Sequence, residues 1–127
     1  LVTAGVADKF HLYVLSDTSK PEIAALEEEG FARLASDWSG HIPVTYRRRE
    51  INTGFKAGNL RDFCEHWGRD FDLMLPLDAD SLMSGDTIVR LTRMMQAYPR
   101  LGILQSLVVG GVVDEHVCKW RRGECHV

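Results

Sequence analysis

The chain has 127 residues, 45% hydrophobic and 26% charged, the composition of one ordinary globular domain and not of a disordered chain. A formal net charge of -3 excludes a general affinity for nucleic acid or anionic membrane, both of which demand a basic surface. No run approaches the roughly twenty apolar residues of a membrane span, so the chain as given is expected to be soluble, and three cysteines, odd and sparse, point to a reducing compartment without a disulfide framework.

The first apolar run, "FHLYVL" at 10–15, reads as a buried strand that stops at the turn residues "SDTSKP". Pro21 suits a first helical position with Ser19 as cap. Ile23, Leu26, Phe31 and Leu34 then recur at helical spacing, leaving residues 27–29 in water until the helix fades before Ser39. "IPVTYR" at 42–47 predicts a second strand, followed by the polar loop "RREINTGFKAG". Leu60, Phe63, Cys64 and Trp67 mark a second helix over 57–67, which Gly68 would end in the left-handed conformation.

"FDLMLPL" at 71–77 is almost continuously apolar, as expected of a central strand covered on both faces. Asp86 or Ser84 would cap a third helix carrying Ile88, Leu91, Met94, Met95 and Tyr98. Pro99 stops it before "LGILQSLVV" resumes strand character. The order β-α-β-α-β-α-β predicts a mostly parallel sheet with helices on both faces, whose ligands bind at the carboxyl ends of the strands.

Three polar clusters fall at such strand ends. Asp17 follows the first strand and offers a carboxylate to a base or ribose, or to its own turn. The loop "YRRREINTGFKAGNL" follows the second: its basic side chains, Gly54 and Gly58, and the free N–H groups of the next helix suit an anion. Asp78 and Asp80 follow the third, and in an extended segment they would point the same way, with Ala79 between them. Mg²⁺ is held by one or two carboxylates together with substrate phosphates and waters, so the pair suits a metal-bound diphosphate; a polar turn is the plainer alternative. A calcium loop of the EF-hand kind fails, because Leu82 and Met83 stand where it needs an oxygen ligand and a glycine. A haloacid-dehalogenase-like phosphatase, with Asp78 as nucleophile and Asp80 as acid, is one alternative function, and a noncatalytic nucleotide-binding or assembly module is another. The tail groups His116, Cys118, Cys125 and His126 at spacings unlike those of common zinc sites.

Taken in order, "FHLYVLSDTS", "YRRREINTGFKAGNL" and "FDLMLPLDADSLMSGDTIVRLTRMM" resemble the glucosyltransferases that build osmoregulated periplasmic glucans in Gram-negative bacteria. Those enzymes are inverting family-2 glycosyltransferases, distantly related to cellulose synthase. The resemblance covers about residues 5–106 and implies a GT-A (Rossmann-like) three-layer α/β/α fold, UDP-glucose as donor and Mg²⁺ or Mn²⁺ as cofactor. It also implies a glucan acceptor and a full-length protein in the bacterial inner membrane with this domain in the cytoplasm. On it, Asp17 would contact uridine, while Lys56, Gly58 and Asn59 would line the diphosphate region. Asp78 and Asp80 would hold the sugar nucleotide and metal, with Asp80 as the direct ligand. The family's acidic base and Gln-x-x-Arg-Trp motif lie further downstream and have no match here, so Asp114, Glu115 and Glu124 receive no catalytic role. Residues 1–106 are thus expected to be the donor-binding half of the domain, inert by itself, and 107–127 a divergent tail. An incomplete sheet lacking the family's first strand is expected to self-associate.

Overall fold

The structure, a computed structural model, describes residues 1–106. The described residues divide into two compact units, Leu1–Met74 and a second that begins at Leu75. The tail expectations, for residues 107–109 as strand and for the residues from His116 to His126 as ligands, lie outside the described residues.

In the first unit a 3-10 turn, Ala7–Lys9, leads into β1, Leu12–Ser16. Helix α1, Pro21–Asp37, carries the chain across to β2, Val44–Arg48. The strands pair in parallel, from Leu12 beside Val44 to Ser16 beside Arg48. Helix α2, Phe55–His66, and a 3-10 turn, Gly68–Asp70, follow.

Strand side chains alternate between faces, and here each face receives one helix. Ser16 and Tyr46 meet α1: both hydroxyls donate to Glu27 Oε2, at 2.5 and 2.8 Å, and the Phe31 and Tyr46 ring centroids lie 5.6 Å apart. Tyr13 and Arg47 meet α2, with Tyr13 edge-on to Phe63 at 4.8 Å and Arg47 bonded to Asn59 and Asp62. The unit is therefore a three-layer α/β/α arrangement on a parallel sheet, incomplete as expected, since among the described residues the sheet has two strands. Its buried apolar residues are Ala7, Ala24 and Phe63, a thin core.

Four expectations are corrected over residues 1–77. Ser19 does not cap α1: Pro21 forces Lys20 into extended backbone, so Lys20 becomes the cap, with no side-chain bond. Glu27 is not left in water; it faces the sheet half-buried while Leu26 is 68% exposed, because two strand hydroxyls satisfy the carboxylate. Gly68 does not end α2 in the left-handed region; Trp67 is the cap, and Gly68 opens a 3-10 turn where a Cβ would lie 3.4 Å from that of Cys64. Residues 71–77 form no strand. Phe71 packs on Tyr13 and His11, but among the described residues β1 and β2 pair only with each other, and an apolar run becomes a strand only when a neighbour takes its backbone groups.

The second unit holds α3, Gly85–Ala97. Of the two cap candidates the structure uses Ser84, whose Oγ accepts from the Thr87 N–H at 3.2 Å, and Asp86 sits in the first turn. Tyr98 ends the helix before Pro99, and residues 101–106 form no strand.

Candidate functional site

Parallel pairing brings the ends of β1 and β2 side by side, so the residues just past them meet. The Arg49 N–H donates to the Ser16 carbonyl at 3.1 Å, extending the ladder. Its guanidinium then forks onto Asp17, Nε to Oδ1 at 2.7 Å and Nη2 to Oδ2 at 2.9 Å. The bond to Asp17 raises the Arg49 pKa above its already high ordinary value. The remaining contacts of Arg49 run along the loop: Nη1 donates to the Thr53 carbonyl at 3.1 Å, and Nη2 to Asn52 Oδ1 at 3.3 Å and to the Phe55 carbonyl at 3.2 Å.

The loop is tightly folded. Gly54, the cap of α2, has φ 73°, and Phe55 follows at φ 49°, a left-handed conformation rare outside glycine. The chain doubles back so closely that a Cβ on Gly58 would sit 1.9 Å from the Thr53 carbonyl oxygen. The missing side chain of Gly58 is thus used by the protein's own backbone. Lys56 lies exposed in the first turn of α2, where N–H groups have no helical acceptor.

Asn59 is buried at 6% exposure and turned to the sheet. Its Oδ1 accepts from Arg47 Nη1 at 2.6 Å and its carbonyl from Nη2 at 3.3 Å, and the Arg47 guanidinium lies 5.4 Å from the Trp67 ring centre. The arginine triplet therefore divides by strand alternation. Arg47 locks α2 to the sheet, Arg49 serves Asp17 and the loop, and Arg48 is exposed. The letters offered the basic side chains of this loop to an anion; the structure instead turns Arg47 onto Asn59 and Asp62 and Arg49 onto Asp17. What could have singled out Arg49 is the register, since a residue one past Arg48 neighbours a residue one past Ser16.

In the second unit, Asp78 and Asp80 are exposed, and the segment is not extended: the Ser81 N–H donates to the Asp78 carbonyl at 2.9 Å, closing a turn around Ala79 and Asp80. Aspartate is favoured at the first position of such a turn, which overrides the strand pattern and the shared direction it implied. Two carboxylates within one turn remain a small donor set that suits a cation completed by phosphate and water. Among the described residues no three His, Cys, Asp or Glu side chains gather into a fuller metal site.

No protein-family model matches the chain. Over 107 residues, 84% of this chain, it is 47% identical to the glucans biosynthesis glucosyltransferase H of Shewanella sp. (strain ANA-3), of which it covers 15%. Over 106 residues it is 41% identical to the protein of the same name from Pseudomonas aeruginosa (strain LESB58), of which it covers 12%. This chain is homologous to a segment of the glucans biosynthesis glucosyltransferases. It spans about a seventh of the length of those relatives. No solved structure matches it. Among the described residues no helix is long and apolar enough to cross a membrane.

Proposed function

We propose that this chain is the donor-binding part of a glucosyltransferase that extends a glucan from UDP-glucose. The observation that carries the reading is 47% identity over 84% of the chain to a curated glucosyltransferase of glucan biosynthesis. Its residues have the chemistry required. Asp17, oriented by Arg49, offers carboxylate lone pairs to the N–H or hydroxyl groups of uridine. Lys56 and the N–H groups opening α2 suit the diphosphate. Gly58 and Asn59 serve this end from beneath, by letting the loop close and by holding α2 on the sheet.

Asp78 and Asp80 would hold Mg²⁺ or Mn²⁺ with the donor phosphates, Asp80 directly; when bound, the ion supplies charge stabilisation for the departing nucleotide. In this reading the fold is of the GT-A kind, and the reaction is a family-2 transfer with inversion. The whole enzyme resides in the bacterial inner membrane with this domain cytoplasmic. The base that takes the acceptor hydroxyl proton is supplied from outside these residues, so the chain binds donor without transferring glucose.

Calorimetric titration with UDP and UDP-glucose, with and without Mg²⁺ or Mn²⁺, tests this. Binding that needs the metal and disappears in Asp80→Ala is expected. A folded chain that binds neither nucleotide overturns donor recognition, and phosphomonoester hydrolysis lost in Asp78→Ala would put a phosphatase in its place.

A further inference from the structure

Resting on the donor-binding reading, we propose that Arg49 is a positioning residue that joins the two ends of the nucleotide pocket, holding Asp17 for the nucleoside and the first turn of α2 for the diphosphate. The guanidinium side chain is 11% exposed and the Asp17 side chain 18%, so the fork between them is largely shielded. Arg49 makes two bonds to Asp17 and three to the loop, at Asn52, Thr53 and Phe55. Each of its three nitrogens thus has an acceptor in the protein, and it acts on a ligand through its neighbours. A carboxylate has about four lone-pair sites, of which the fork occupies two, so Asp17 keeps acceptors for a nucleoside N–H or hydroxyl.

The charge matters as much as the geometry. A bare carboxylate beside a diphosphate would repel it, and Arg49 offsets that charge in place. At the other end, Phe55 stands at φ 49°, a conformation that persists only where the surroundings hold it. The bond from Arg49 to the Phe55 carbonyl is such a hold, one residue before Lys56. Lysine cannot replace this arrangement, because a single ammonium lacks the planar fork that meets a carboxylate and separate carbonyls at once.

The test combines hydrogen exchange of the amides in residues 52–58 with UDP titration in the presence of Mg²⁺, on the chain, Arg49→Lys, Lys56→Met and the double variant. In Arg49→Lys those amides are expected to exchange faster while β1 amides keep their rates, and UDP affinity to fall about tenfold, the scale of one charge-assisted hydrogen bond. Lys56→Met should weaken UDP in the parent chain and add little in the Arg49→Lys background. Unchanged loop exchange, unchanged UDP affinity, or full additivity of the two substitutions overturns the joining role while donor binding stands. No UDP binding by the parent chain overturns both. Should Arg49→Lys not fold, Gly58→Ala forces apart the Thr53 carbonyl and the Arg49 guanidinium, its Cβ lying 1.9 Å from the oxygen and 3.4 Å from Nη1. The same faster exchange and weaker UDP binding are expected there, and their absence overturns the proposal.

Discussion

A methyl group at residue 58 has no room, and its effect separates crowding from backbone strain. In Gly58→Ala the new atom would meet the Thr53 carbonyl oxygen at 1.9 Å, so the loop must move and stability should fall by about 1–3 kcal/mol in urea titration. Gly54→Ala meets nothing so close but must hold φ 73°, and should cost about 1–2 kcal/mol. His11 poses a different question, of protons. Burial against Tyr13 and Phe71 lowers its pKa below 6.5, while Nε2 lies 2.8 Å from Thr45 Oγ1. The unfolded chain then takes up the proton first as pH falls. This contribution to stability is fully present above pH 6.5 and is lost below it, down through the lower folded value. His11→Gln should flatten that part of the stability profile, and identical acid slopes in the two chains would show that His11 is not the group responsible.

At the scale of an element, α1 shows how far composition can mislead about which residue faces inward. A carboxylate, Glu27, holds the helix to the sheet through Ser16 and Tyr46, and an apolar neighbour, Leu26, stays 68% exposed. Glu27→Ala strands two hydroxyls and should cost toward the low end of about 1–3 kcal/mol, since the groups are only part-buried. Leu26→Ala should change stability by no more than about 0.5 kcal/mol. Tyr46 gives a second readout. Burial, then its bond to Glu27, raises its pKa above 10.0, so Glu27→Ala should bring phenol ionisation, followed by ultraviolet absorbance, toward that value.

Across the whole molecule, what could be read from the letters was local, and what could not depended on pairing. Among the described residues both strands and all three α-helices answer to runs with clear periodicity and punctuation, because Pro21, Ser84 and Pro99 act through the backbone next to them. The strand expected over 71–77 did not form, since apolar letters report burial and not which backbone accepts a ladder. The Asp17–Arg49 fork was illegible for the same reason: its partners are 32 residues apart and meet only through register. That apolar run now has a consequence. Phe71, Leu73, Met74, Leu75 and Leu77 are each between 37% and 49% exposed, and the outer edges of β1 and β2 carry no strand among the described residues. Exposed apolar side chains and open strand edges each favour pairing with another chain. Light scattering of the chain should therefore give a mass that rises with concentration, and replacing Leu73 and Met74 by lysine should return it to that of a monomer. A parent chain that stays monodisperse and monomeric across the same range would mean that these side chains find their cover within one copy.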